Sequence, residues 1–246
     1  MSVPVFLSDA AGSAEDHIVL SGPEGHHAAT VRRLRPGERV DITDGAGRVA
    51  ECVVAETGKD VLTARVLRRF HAEPPRPRLI VVQALAKGDR GELAVEMMTE
   101  AGVDVIVPWA ASRCVVQWKG DRAAKALARW RSTAREAAKQ SRRFHLPEVT
   151  EQASTAQVAE LISGAELAVV LHEEAERPLS GITPPRGPSA GDIVVVVGPE
   201  GGITEEELAR LSDAGAVPAL LGPTVLRTST AGVAAAAVLF ARCGRW

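Results

Sequence analysis

The chain has 246 residues, of which 46% are hydrophobic, and a formal net charge of −2. That length buries a large core in one or two domains, and the composition argues against a disordered or fibrous chain. No apolar stretch reaches membrane-spanning length, the start lacks a basic-then-apolar signal, and Cys52, Cys114 and Cys243 lie far apart with no C-x-x-C pair, so no membrane, disulfide framework or zinc cluster is expected and a reducing cytoplasm is the expected home.

In chain order, residues 1–72 carry short alternating runs at 39–43, 49–55 and 61–67. Turn signals separate them at Pro36-Gly37, Gly45-Ala46-Gly47 and Gly58-Lys59. A small β-barrel-like domain is expected there. His26 and His27 are adjacent and would point to opposite faces of a strand, which suits capping or surface roles better than metal binding. Residues 73–78, with Pro74-Pro75-Arg76-Pro77, read as a stiff linker.

From residue 79 to 246 strands and helices alternate, the pattern of an α/β domain. Strands are expected at 79–85, 103–108 and 167–171, with a short one at 115–118. A helix is expected at 92–101, stopped by Gly102. Residues 119–143 read as one long helix with Leu127, Trp130 and Ala134 on its buried side. In that stretch nine basic residues face only Asp121 and Glu136. Arg135, Lys139, Arg142 and Arg143 gather at its end, where they favour the helix dipole or contact phosphates. Residues 177–190, rich in Pro and Gly, read as a surface loop.

The segment 192–230 says most about chemistry. An unbroken apolar run at 193–197 ends at Gly198-Pro199-Glu200-Gly201-Gly202, and Thr204 with Glu207 then forms a capping box that starts a helix. The pattern recurs: an apolar run at 217–221, then Gly222-Pro223, then a helix start at Thr228-Ser229-Thr230 that leads into a helix over 230–243. Loops at the carboxyl ends of parallel strands are where ligands bind, and glycine lets backbone groups approach them closely. Neither a G-x-x-x-x-G-K-[ST] nor a G-x-G-x-x-G motif is present, and Glu200 in the first loop would repel a phosphate. A ligand with positive character and hydrogen-bonding edges fits better.

These residues resemble a known site. Gly198 to Gly202, then Leu220-Leu221-Gly222, then Val225-Leu226-Arg227-Thr228, are similar to the S-adenosylmethionine site of the SPOUT methyltransferases, within which the match is to the RsmE type, the 16S ribosomal RNA uracil-N3-methyltransferases. Lys87-Gly88-Asp89-Arg90, Ser112-Arg113-Cys114-Val115-Val116, and the stretches 27–37, 96–104 and 136–143 extend the resemblance over nearly the whole chain. It implies a PUA-like RNA-binding first domain and a SPOUT α/β domain with a C-terminal trefoil knot. It implies S-adenosylmethionine as cofactor, 16S ribosomal RNA of the small subunit as partner, a homodimer and no metal. The implied cofactor-binding residues are Leu171, Gly198, Pro199, Glu200, Gly201, Gly202, Leu220, Leu221, Gly222, Val225, Leu226, Thr228, Ser229 and Ala231. The implied RNA-binding residues are Arg32, Arg33, Arg35, Lys87, Arg90, Arg113, Arg135, Lys139, Gln140, Arg142 and Arg143.

Methyl transfer from a sulfonium needs alignment rather than a metal or a covalent nucleophile. Uracil N3 is protonated at neutral pH, so something must accept that proton or stabilise the resulting anionic ring. Arg227 is the candidate for that task, with a salt bridge or phosphate clamp as its other reading. His172, after the strand at 167–171, reads equally as an ordinary loop histidine. Two departures stand out: Ser229 occupies a position where the RsmE family often has glutamate, and Pro4-Val5-Phe6 lacks an arginine before the phenylalanine. Aromatic residues are only 3% and tyrosine is absent, which disfavours broad base-stacking platforms. The small residues of the last helix suit close packing, inside the domain or at a two-fold interface. A SPOUT enzyme with another RNA target, and a non-catalytic RNA-binding assembly factor, remain alternatives.

Overall fold

Two sheets organise the chain in the computed structural model, which describes residues 3–246. They belong to two compact units. One runs to Pro74 and also takes in Ala138–Leu146; the other comprises Pro75–Ala137 and Pro147–Trp246.

The first unit contains β1 (Val5–Leu7), β2 (His17–Leu20), α1 (Gly22–His26), β3 (Arg39–Thr43), β4 (Arg48–Gly58) and β5 (Val61–His71). Its sheet has the order β1-β3-β4-β5-β2, with β1 parallel to β3 and the other pairs antiparallel. Alternate residues point inward: Val40 and Ile42, Ala50, Cys52 and Val54, Leu62 and Ala64. Register shifts at Glu51/Cys52 and Val54/Glu56 mark β-bulges, which bend the two long strands. The segment Ala138–Leu146 folds onto the β3–β4 turn, where Gly47 N–H donates to the Phe144 carbonyl at 3.0 Å and Leu146 N–H to the Gly45 carbonyl at 2.8 Å. Gly47 has φ of 97°, and a Cβ there would lie 2.6 Å from the His145 ring. The turn read from Gly45-Ala46-Gly47 therefore has a second purpose, the seating of a remote segment.

His26 and His27 are helical, not on a strand. His26 ends α1, and its Nδ1 lies 2.7 Å from Asp60 Oδ1, while His27 starts a wider helical turn and packs edge-on against Phe6. The preceding Ser21-Gly22-Pro23 supplies the start, with proline in the first turn.

The second unit is built on a wholly parallel sheet of order β11-β9-β10-β6-β7-β8. Its strands are β6 (Leu79–Ala84), β7 (Val105–Trp109), β8 (Glu148–Val149), β9 (Leu167–Leu171), β10 (Ile193–Val197) and β11 (Val217–Ala219). Every residue of β6, β7 and β10 is buried, as a strand covered on both faces requires. Four helices lie between the strands, α2 (Arg90–Ala101), α3 (Asp121–Gln140), α4 (Thr155–Ser163) and α5 (Glu205–Asp213), and α6 (Thr228–Cys243) follows β11. Gly102 ends α2 with φ of 104°. Helix α6 packs on α2, and a Cβ on Gly232 would come within 2.7 Å of Met98 Sδ, so the small-residue stripe is used inside this unit.

The expected strand at 115–118 does not form. The edge of β7 is taken by β8, so the segment that follows β7 does not pair there, and Val115 is left 67% exposed. Helix α3 stops at Gln140, short of the expected end, and Arg142 takes a left-handed φ of 58°. Strands β1, β2 and β8 and helix α4 were not expected: three of them have four residues or fewer, too short to show a period.

Candidate functional site

Strands β11, β9 and β10 are parallel neighbours. Val195 and Val217 both pair with Val169, and Ala219 with Leu171. Their carboxyl ends therefore emerge at one edge, which brings the Gly198–Gly202 and Leu220–Arg227 loops together with Leu171.

The first loop is a turn closed by Gly202 N–H on the Pro199 carbonyl at 2.9 Å, with Gly202 at φ of 75°. Gly201 lies against the loop after β7: a Cβ there would sit 3.0 Å from both the Cβ and the carbonyl oxygen of Arg113, and Arg113 Nη1 donates to the Gly201 carbonyl at 3.3 Å. Arg113, expected to face RNA, thus braces the loop expected to hold the cofactor. Glu200 is exposed, and its Oε1 lies 3.4 Å from Lys87 N.

In the second loop, Leu220 N–H donates to the Arg177 carbonyl and the Leu220 carbonyl accepts from Leu179 N–H, both at 2.8 Å. Its backbone is pinned by the 177–179 stretch, which the sequence had read only as surface loop. Gly222 faces open space: a Cβ there meets nothing within 4 Å. Val225 and Leu226 are 77% and 39% exposed, and Leu171 and Leu221 are half-buried. Exposed apolar side chains beside a bare backbone and an open volume suit an uncharged, flat, hydrogen-bonding group such as an adenosyl moiety.

A buried relay joins the two loops. Thr228 Oγ1 donates to the Gly198 carbonyl at 2.8 Å and accepts from Gln83 Nε2 at 2.9 Å. Gln83 is fully buried in β6, and its Nε2 also reaches the Ala84 carbonyl at 3.2 Å. Burying an amide in a hydrophobic strand is costly, the more so as Gln83 Oε1 has no hydrogen-bond partner among the described residues, so the signal was present as a single polar residue in an apolar run.

Glu207 ties the first loop to two others. As the far half of the Thr204 capping box it accepts from Thr204 N and Oγ1, and its Oε1 also accepts from Ser112 N at 2.8 Å, Ser112 Oγ at 3.0 Å and Thr155 Oγ1 at 3.1 Å. Burial alone would raise its pKa, but these hydrogen bonds outweigh that and hold the carboxyl below the ordinary glutamate range.

Arg227 is the N-cap of α6, with no side-chain cap bond, and is exposed. Ser229 and Ala231 are 3% and 9% exposed, so their side chains pack inward and only their backbone is left for a ligand. His172 Nδ1 accepts from Glu174 N–H at 3.2 Å, a local turn contact.

Among the basic candidates of the second unit, Lys87 and Arg135 are exposed and Arg90 starts α2 half-buried. In the first unit, Arg32, Arg33, Arg35, Gln140 and Arg142 are exposed and Arg143 is half-buried. Lys139 corrects the sequence reading. Its side chain is 6% exposed and its Nζ donates to Glu24 Oε1 at 2.8 Å, so its charge is spent inside the fold rather than offered to a phosphate. Among the described residues no group of His, Cys, Asp or Glu could hold a metal ion, and no helix is long and apolar enough to cross a membrane.

Comparison with known proteins gives a consistent picture. Residues 72–240 match the family described as the RNA methyltransferase domain, and residues 20–67 the RNA methyltransferase PUA domain. The chain is 50% identical over 232 residues to the ribosomal RNA small subunit methyltransferase E of Mycobacterium tuberculosis, covering 93% of this chain and 87% of that one. It is 32% identical to the protein of that name in Bacillus subtilis, over 86% and 85% of the two chains. Among solved structures, the Neisseria gonorrhoeae ribosomal RNA small subunit methyltransferase E bound to S-adenosyl methionine superposes with a TM-score of 0.83 at 30% identity, covering 98% of both chains.

Proposed function

The chain belongs to the ribosomal RNA small subunit methyltransferase E family of RNA methyltransferases, and on that premise we propose that it methylates N3 of one uridine in 16S ribosomal RNA of the small subunit. The observation that carries the reading is the joining of two glycine loops at one sheet edge by the Gln83–Thr228–Gly198 relay. S-Adenosylmethionine, when bound, supplies an electrophilic methyl on a sulfonium. The backbone of Gly198 to Gly202 and of Leu221-Gly222 reads its polar edge, while Leu171, Val225 and Leu226 cover its apolar parts.

Arg227 acts on the acceptor. The uracil N3 proton must leave before the nitrogen can attack, and a guanidinium beside the ring carbonyls stabilises the charge that results. Arginine is a poor N-cap residue, and its side chain makes no cap bond here, so helix formation does not account for it at this position. Ser229 is short, neutral and buried, so no carboxylate base acts from the position where the family often has one.

The same reading assigns residues 1–72 as a PUA-like barrel that grips RNA through Arg32, Arg33 and Arg35, and residues 79–246 as the catalytic domain with a trefoil knot. Support for the knot comes from the 177–179 stretch, which lies alongside Leu220 and so ties the chain between β9 and β10 to the loop after β11. Further phosphate contacts come from Lys87, Arg90, Arg113, Arg135, Gln140, Arg142 and Arg143. A cytoplasmic homodimer completes the reading. The test is mass spectrometry of 16S RNA from cells lacking the gene, before and after treatment of their small subunits with purified protein and S-adenosylmethionine. One N3-methyluridine is expected to vanish on deletion and return on treatment; its persistence in the deletion strain overturns the assignment.

A further inference from the structure

A cavity of about 320 Å³ lies in the second unit between the loop after β6 and helices α2 and α3. Trp118 and Trp130 form one wall, edge to face with ring centroids 5.0 Å apart. Glu92 and Arg129 form the rim, with Arg129 Nε 3.4 Å from Glu92 Oε1. Exposed Gly88 and buried Gly91 also line it. A Cβ on Gly91 would strike the Trp130 ring at 2.9 Å, so glycine is what allows the indole to close that side.

From this geometry we propose that the cavity takes one unpaired RNA base next to the nucleotide that is methylated. The inference rests on the proposed function for its substrate class. Four features select the occupant. The volume falls at the small end of ligand pockets, right for a single flat group. Trp130 is buried, so the half-buried Trp118 is the ring left to contact a base, and unpaired bases are what proteins recognise in RNA by stacking and edge contacts. The rim pairs a donor fork with a carboxylate, which matches a base edge bearing both acceptors and donors. Glu92 would repel a phosphate, so the backbone stays outside, where Lys87 and Arg90 adjoin the glycines in sequence.

The occupant is a neighbour rather than the reacting base because of sheet order. The donor loops follow β9, β10 and β11, whereas the cavity lies beyond β6, one strand past β10 and three strands from β11. The loop carrying Arg227 folds back to β6 through the Thr228–Gln83 hydrogen bond at 2.9 Å, which sets the cavity beside the donor loops without making it part of them. Contact between the two regions is direct, through Lys87 N and Glu200 Oε1. Low aromatic content therefore excludes a broad stacking surface but not a single-base pocket.

The full chain is titrated with single-stranded nine-residue oligomers of uridine, cytidine or adenosine, and with an abasic ribose-phosphate oligomer of the same length and charge. At least one base-bearing oligomer is expected to bind roughly tenfold more tightly than the abasic one. Trp118→Ala is expected to remove that difference, and Trp118→Phe to keep it, with S-adenosylmethionine affinity unchanged in both. Arg129 is largely exposed, so Arg129→Gln provides a variant with little risk to folding, and it is expected to narrow the difference. Equal affinity for all oligomers, or a preference that survives Trp118→Ala, overturns the proposal. Methyl transfer to undermethylated small subunits, measured in parallel on the wild-type chain, tests the proposed function by itself.

Discussion

The two edges of the parallel sheet are built on opposite principles. At the amino edge each ligature is a carboxylate just before a strand. Asp104 precedes β7 and takes Arg245 at 2.5 Å and Leu79 N–H at 2.8 Å; Asp192 precedes β10 and takes Arg78; Glu166 precedes β9 and takes Gly191 N–H at 2.6 Å. At the carboxyl edge the loops carry glycine, exposed valine and leucine, and an arginine without a cap bond. One edge holds its polar groups in pairs; the other leaves backbone and apolar surface open. The expected lesson is a division of labour: substitutions at the amino edge are expected to act on stability, and those in the open loops of the carboxyl edge on ligands.

The largest effect expected tests the first half. Asp104 and Arg245 side chains are 10% and 9% exposed, and Arg245 also reaches the Pro77 and Gly102 carbonyls and lies over the Phe240 ring. Asp104→Ala leaves that guanidinium buried without its carboxylate, which costs about 3–5 kcal/mol. Urea unfolding is expected to show this loss, while affinity for S-adenosylmethionine in the remaining folded protein is unchanged. Arg227→Ala tests the second half. It is expected to lower kcat by roughly a hundredfold through lost charge stabilisation, with the melting temperature unmoved.

Much of the candidate site's layout was legible in the sequence because two Gly-Pro corners follow two apolar runs, and parallel pairing turns that repetition into proximity. The Thr204–Glu207 capping box was legible for the same local reason. What was hidden depends on contacts remote in sequence. Nothing in Lys139 announces that Glu24, over a hundred residues away, will neutralise it. Nothing local in Ser112 or Thr155 points to Glu207, and the three meet only because β7, β8 and β10 end at one edge. Trp118 and Trp130 likewise form a wall only once α3 lies over α2.

Glu207 sharpens the comparison, because it is a structural pin on the carboxyl edge. Its folded pKa is depressed, so the stability it contributes is present above the ordinary glutamate value of 4.5 and is lost as pH falls through the lower folded value. Glu207→Gln keeps the shape but weakens charge-assisted bonds to Ser112 and Thr155, and is expected to cost about 1–2 kcal/mol at pH 7. The difference from wild type is expected to shrink in acid-unfolding curves below pH 4.5. A constant difference across that range would show that the carboxylate charge is not what holds the loops.

The smallest effect isolates the open backbone. Gly201 is the wrong place to probe it, since a side chain there collides with Arg113 at 3.0 Å and disturbs the fold as well as the site. Gly222 is the right place: an added Cβ meets nothing within 4 Å, so valine is accommodated by the free protein and projects into the space assigned to the adenosyl group. Gly222→Val is expected to weaken S-adenosylmethionine binding about tenfold or more, equivalent to about 1.4 kcal/mol, with melting temperature within a degree or two of wild type. Calorimetric titration beside a thermal scan separates the two quantities. Unchanged affinity would mean that the second loop does not face the cofactor, and would leave the first loop alone to define the donor pocket.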